Sequence, residues 1–208
     1  MFQVSQLQYS YPKGPSFQFP DLELKEAEHL LILGASGVGK TTLLHLIGGL
    51  RIPGQGQISI QGTCINTLPQ GKLDKFRGRN LGIVFQRPHF VEALTALENL
   101  LLVQKLSGLA TEKKQAIQVL NNLGIEALAH KKPYRLSQGE QQRLSIAMAV
   151  INRPKLLLAD EPTSSLDDHN SEQVIDLLMK EAEQNSANLI IITHDQRVKS
   201  RFTNTITL

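Results

Sequence analysis

Cysteine is almost absent from this 208-residue chain. Cys64 stands alone, which excludes an intrachain disulfide and a cysteine-built metal cluster and fits a reducing compartment. Long hydrophobic runs are missing too: no stretch approaches the ~20 apolar residues that a bilayer-spanning helix needs. Work at a membrane would therefore require another polypeptide as anchor. Met1-Phe2-Gln3-Val4-Ser5-Gln6-Leu7 lacks a basic segment followed by an apolar run, so no signal peptide is expected. Charge of one sign is not concentrated either. The 22 Lys and Arg against 19 Asp and Glu leave a formal net charge of +3, dispersed without a basic block, which reads as ordinary surface charge and gives no reason to expect a nucleic-acid partner. No repeat or low-complexity tract interrupts the chain, whose length suits one substantial core.

What the chain does have is Gly34-Ala35-Ser36-Gly37-Val38-Gly39-Lys40-Thr41, directly after the apolar run Leu30 to Leu33. The pattern G-x-x-x-x-G-K-T between a strand and a helix is a P-loop: glycines let successive backbone N–H groups turn inward toward phosphate oxygens, and Lys40 adds a mobile positive charge. Thr41 supplies a hydroxyl for magnesium. The helix that follows, with Leu43, Leu46, Ile47 and Leu50 expected on one stripe, aims the positive end of its dipole at the same anion. The loop implies a nucleoside triphosphate but names no reaction.

Around this loop the patterning is α/β. An alternating N-terminal segment, broken at Tyr11-Pro12-Lys13-Gly14-Pro15 and resumed by Phe17, Phe19, Leu22 and Leu24, predicts an antiparallel β portion beside the nucleotide strand. Gln57 to Gln61 adds another short strand, and Leu81 to Phe85, Leu156 to Ala159 and Leu189 to Thr193 read as buried strands. Thr95 and Glu98 form a capping box ahead of a helix with Leu97, Leu100 and Leu101 on one face; Ile117, Leu120 and Leu123 mark a second helix ended by Gly124. Residues 87–153 are thus expected to form a helical subdomain inserted in the core of a single domain spanning 1–208. A helix carrying Leu144, Ala147, Met148 and Ile151 starts at Ser137, and another carries Val174, Ile175, Leu177 and Leu178. Strands alternating with helices predict a parallel sheet covered on both faces.

The strand Leu156 to Ala159 runs into Asp160-Glu161, a Walker B pattern. Asp160 is placed to meet magnesium above the P-loop, and Glu161 to orient or deprotonate an attacking water. Ser137-Gln138-Gly139-Glu140 carries two compatible readings: a capping box at a helix start, and a second anion site where Gly139 permits close backbone approach.

Leu136-Ser137-Gln138-Gly139-Glu140-Gln141-Gln142-Arg143 resembles the signature motif of ATP-binding cassette (ABC) ATPases, and the other motifs follow in that family's order over nearly the whole chain. The resemblance implies a P-loop NTPase (RecA-like) fold, with Mg2+ and ATP bound by Gly34 to Thr42. Tyr11 resembles the adenine-stacking aromatic, with Tyr9 close by as a competing choice. Gln86 resembles the glutamine that contacts magnesium and the water. Ser164-Ser165-Leu166-Asp167 resembles the D-loop at a dimer interface, where Asp167 or Asp168 could instead cap the following helix. His194 resembles the histidine at the γ-phosphate. The catalytic set so implied is Lys40, Gln86, Glu161 and His194. Gln138 departs from the usual glycine of the signature, adding a side chain at the expected interface.

In this family two cassettes face each other head to tail, so each ATP lies between one unit's P-loop and the other's signature helix. The resemblance therefore implies a second nucleotide-binding subunit, expected to be an identical copy, and a transmembrane permease subunit, with the chain held at the cytoplasmic face of the membrane. Arg87-Pro88-His89-Phe90 and the helix near Thr95 would receive the permease. The run Gly82 to Gln86 and the segment Leu94 to Asn99 resemble the lipoprotein-releasing and macrolide-exporter branch. The alternatives are an ATPase regulating a cell-envelope enzyme through a membrane partner, and a soluble, non-transport ABC ATPase.

Overall fold

Tyr11 to Pro15 turns the chain back between β1 (Phe2–Ser10) and β2 (Ser16–Gln18), and β3 (Leu22–Leu24) returns to pair with the start of β1. The computed structural model describes residues 1–164 and 166–208, with Asp168 and His169 as backbone only. Next come β4 (His29–Leu33), α1 (Lys40–Ile47), β5 (Gln55–Ile60), β6 (Thr63–Cys64), α2 (Gln70–Asn80) and β7 (Leu81–Val84). The helices α3 (Ala96–Leu106), α4 (Lys113–Asn122) and α5 (Gln138–Val150) precede β8 (Leu156–Asp160), and α6 (Asp168–Gln184), β9 (Asn188–Thr193) and β10 (Thr205–Thr207) complete the order. Among the described residues no helix is long and apolar enough to cross a membrane.

Two sheets result. β1, β2, β3, β5 and β6 make an antiparallel sheet, while the second is parallel throughout in the order β10-β4-β9-β8-β7. Period-two alternation splits each central strand between two cores. Leu30, Ile32, Leu156, Leu158, Ile190 and Ile192 pack with α1 and the antiparallel sheet. Leu31, Leu33, Leu157, Ala159, Leu189 and Ile191 pack on the other face with residues of α3, α4, α5 and α6. Each fully buried Leu or Ile contributes roughly 1.5–3 kcal/mol, so both layers hold the sheet rigid beneath the loops at its C-terminal edge. Packing is close at Gly82, where a Cβ would stand 2.2 Å from the Ala149 carbonyl oxygen; α5 can lie this close to β7 only over a glycine.

The α/β architecture, the antiparallel portion and both capping boxes agree with the sequence reading. Leu50 does not join the apolar stripe of α1. The helix stops at Ile47, Gly49 takes a positive φ of 64°, and Leu50 lies outside it, 41% exposed. Helix α2 and strand β10 had no clear sequence signal: α2 buries only Leu73, and β10 is three residues of half-buried edge.

Glu181 is an anomaly of the core: it is 4% exposed, and its Oε1 has no hydrogen-bond partner. Burial pushes the carboxyl above its ordinary value of 4.5, the Lys180 charge opposing this. In the unfolded chain the group ionises first, so its penalty grows as pH rises through 4.5 and is complete above the raised folded value. Glu181→Leu should therefore stabilise the protein by about 1–3 kcal/mol near neutral pH, or roughly 2–4 °C in Tm per kcal/mol. The gain should shrink toward pH 4. Thermal melts at both pH values check this, and an equal shift at each would contradict it.

Candidate active site

Strand register brings the chemistry to one edge. In the parallel sheet Leu33 lies beside Thr193 and Asp160 beside Ile192, so β4, β8 and β9 end together and release Gly34, Glu161 and His194 at one level. β7 ends at the same edge, its Val84 beside Ala159, and places Gln86 there. Such an edge is where open parallel sheets bind ligands.

The loop from Gly34 curls into α1. Gly37 and Gly39 have φ of 86° and 103°, conformations that L side chains rarely adopt. The Phe17 ring packs against Gly39, so that a Cβ there would fall 2.7 Å from the ring. Among the described residues no backbone carbonyl accepts from the amides of Ser36, Gly37 or Gly39. These donors at the positive end of a helix make a cradle for an anion.

Lys40, 7% exposed, extends across this cradle, donating to the carbonyls of Gly34 at 2.7 Å and Ala35 at 3.0 Å, and standing 3.6 Å from Glu161 Oε1. The Thr41 hydroxyl donates to Asp160 Oδ1 at 3.3 Å. Burial raises the Asp160 carboxyl above its usual range, and the neighbouring Glu161 charge adds to this against the opposing Thr41 hydrogen bond and Lys40 charge. A buried carboxylate and a hydroxyl at one point form an oxygen donor set that suits a hard divalent cation.

Glu161 sits just past β8 in a left-handed conformation, φ 46°. Such a backbone costs a non-glycine residue of order 1–3 kcal/mol. The amide of Glu161 is pinned to the Ile192 carbonyl at 2.8 Å. Its Oε2 accepts from the Thr193 hydroxyl at 2.8 Å and the His194 amide at 3.3 Å, and its Oε1 lies 3.0 Å from His194 Nδ1. Burial alone would raise this carboxyl. The hydrogen bonds from His194 and Thr193 outweigh it and hold the group below its ordinary value of 4.5, so Glu161 is ionised at neutral pH.

One cleft of about 620 Å³ is lined by Tyr11, Phe17, Ala35, Ser36, Gly37, Gly39, Lys40, Thr41, Thr42, Gln86, Glu161 and His194. Most of the residues singled out in the sequence therefore meet here. Gly34 and Val38 do not line it; they back the loop, Val38 packing against Gly34. Tyr11, whose hydroxyl lies 3.0 Å from the Thr42 hydroxyl, closes one end. Tyr9 stays outside the cleft.

Ser137, Gly139 and Glu140 also stay outside it, at the start of α5. There the capping box is formed: the Ser137 amide donates to Glu140 Oε2 at 2.7 Å, and Ser137 Oγ accepts from the Glu140 amide. These bonds hold the half-buried Glu140 carboxylate below its usual range. Gln138 and Ser164 line an adjoining cleft of about 480 Å³ that shares Gln86 and His194 with the first. Leu166 lines it as well, whereas Asp167 caps α6 by accepting from the Asn170 amide at 2.8 Å; Ser165 lies outside the described residues. Gln142 links the core to the site: its side chain donates to the Pro162 carbonyl at 3.1 Å and ties α5 to the Glu161 turn.

Sequence reasoning missed Thr193 and Phe17 as parts of the site. Thr193 read as the last residue of a buried strand; its position next to His194 was the available signal. Phe17 read as strand alternation, and only the fold shows it against Gly39. Thr193→Val should remove one donor from Glu161 and raise its titration midpoint, so that the acid-linked loss of stability below 4.5 becomes smaller and is complete at a higher pH. Carboxyl carbon NMR of Glu161 measures this directly, and an unchanged midpoint would contradict the assigned hydrogen bond.

A family model described as "ABC transporter" matches residues 18–164. The lipoprotein-releasing system ATP-binding protein LolD of Xanthomonas campestris pv. campestris is 37% identical over 207 residues, covering 97% of this chain and 87% of that protein. LolD of Bacteroides fragilis is 39% identical over 178 residues, 85% and 82% of the two chains. Among solved structures, dimeric MJ0796, described as a bacterial ABC transporter cassette, matches with a TM-score of 0.90 and 33% identity, covering 100% of this chain and 94% of that one. A second MJ0796 dimer, in a post-hydrolysis state with ADP and Pi, matches equally well. With the family match spanning the P-loop to Ser164 and the relatives spanning nearly the whole chain, this protein belongs to the ABC transporter family as one of its ATP-binding, ATP-hydrolysing cassettes.

Proposed function

We propose that the chain is the ATPase subunit of a membrane complex of the lipoprotein-releasing type, acting as a head-to-tail homodimer beneath a separate permease at the cytoplasmic face of the membrane. The observation that carries this reading is the division of the motifs: Lys40, Gln86, Glu161 and His194 share one cleft, while Ser137, Gly139 and Glu140 cap a helix outside it. A second copy would supply the missing half. A Cβ built at Gly139 meets nothing within 4 Å, leaving open space for a partner surface at the helix start. The residues 87–153 act in this reading as the helical subdomain that carries the signature terminus and receives the permease near Arg87 to Phe90. Ser164, Leu166 and Asp167 would face the partner cassette.

Each residue has a task. The Ser36–Gly39 amides cradle phosphate oxygens, and Lys40 exchanges its Gly34 and Ala35 carbonyl partners for the terminal phosphates. Thr42 joins the loop contacts, and Tyr11 offers its ring to the base. Thr41, Asp160 and Gln86 would hold Mg2+, which when bound neutralises charge on the phosphates. Glu161 orients the attacking water. His194 fixes the carboxylate while facing the γ-phosphate position. In the closed dimer the γ-phosphate bridges the two units, and its loss lets them part.

Glu161→Gln should leave ATP affinity within about threefold yet slow turnover by about 10²-fold or more. Closed dimer should accumulate with ATP in light scattering. Hydrolysis at the wild-type rate would remove Glu161 from the principal role.

A further inference from the structure

Arg51 has no part in any nucleotide motif, yet it stands against the aromatic end of the cleft. Its guanidinium carbon lies 4.8 Å from the centroid of the Tyr11 ring and 5.6 Å from that of Tyr9. Its Nη1 donates to the Tyr9 hydroxyl at 2.9 Å. Tyr9 in turn meets Tyr11 edge-on, the centroids 4.9 Å apart and the planes at 90°. The Arg51 amide is tied to the His45 carbonyl at 3.2 Å, so the side chain springs from the end of the helix that the P-loop begins. Burial, with the Arg51 charge second, holds the His45 imidazole below its usual range, leaving Arg51 as the cation at this corner.

Tyr11 and Phe17 line the phosphate cleft, whereas Arg51 and Tyr9 do not. Arg51 and Tyr9 therefore meet Tyr11 from outside the cleft. The Thr42 hydroxyl at the phenol end and Phe17 edge-on at 6.3 Å also hold the ring. A cation against the ring draws π density from it, which improves its match to an electron-rich purine stacked in the cleft.

We propose that Arg51 is a positioning residue for the nucleoside end of ATP: it sets the tilt and the π-electron character of the Tyr11 platform. The proposal rests on the reading of Tyr11 as the base platform. Arg51→Met keeps length and packing but removes the charge. It should weaken ATP and ADP about 3–10-fold, raise KM by the same factor with kcat at saturation within about twofold, and leave the affinity for inorganic triphosphate, which has no base, unchanged. Arg51→Lys should restore part of the loss. In a Tyr11→Leu background Arg51→Met should cost nothing further. Titration calorimetry with ATP, ADP and inorganic triphosphate on all four variants, with thermal midpoints alongside, separates the outcomes. Normal ATP affinity in Arg51→Met beside weak binding in Tyr11→Leu overturns the role of Arg51 while keeping the platform. Normal affinity in Tyr11→Leu removes the platform itself. Equal weakening for inorganic triphosphate makes Arg51 a support of the phosphate loop and overturns the proposal.

Discussion

The carboxylate of Glu161 joins three segments that are far apart in the chain. It takes hydrogen bonds from Thr193 and His194 at the end of β9, stands 3.6 Å from Lys40 at the start of α1, and hangs from β8 by a left-handed backbone. Water alone could not hold such an arrangement, because the left-handed turn costs energy and the charge is 8% exposed. The donors that surround it compensate both. They also keep the carboxylate charged.

The sheet makes that arrangement possible. Its parallel strands are apolar on both faces, so packing on two sides fixes their register to a fraction of a residue, and a one-residue slip would turn every core side chain the wrong way. Gly34, Asp160, Glu161 and His194 inherit their positions from this register. The α5 side is coupled to the same edge through Gly82, which admits the helix, and through Gln142, which reaches the Pro162 carbonyl. A displacement of α5 can thus be felt at the Glu161 turn.

Much of this was legible in the sequence because phosphate binding needs particular residues at fixed spacing. The P-loop, the Walker B carboxylates and the Ser137 capping box are local patterns, and the β strands beneath them are unbroken apolar runs. What escaped detection depends on contacts between distant segments. Thr193 became part of the site only through its hydroxyl on Glu161, and Arg51 through two tyrosines some forty residues earlier. Leu50 misled because the helical period continued past a glycine pair that ended the helix. Helix α2 carries too few buried residues to show a stripe, and the buried Glu181 contradicts the apolar pattern of its own helix.

The division between a cleft holding Lys40 and Glu161 and a capped helix holding Ser137 defines the central claim, that each chain carries two halves of different sites. Lys40→Ala removes a P-loop charge and Ser137→Arg blocks the helix start, so each variant alone should be inactive. The most direct measurement is the ATPase rate of the two mixed in equal amounts. Random pairing in a two-fold dimer gives mixed dimers with one complete site, and the rate should return to about one quarter of the unmodified protein's. A mixture no more active than the two variants measured apart would contradict it.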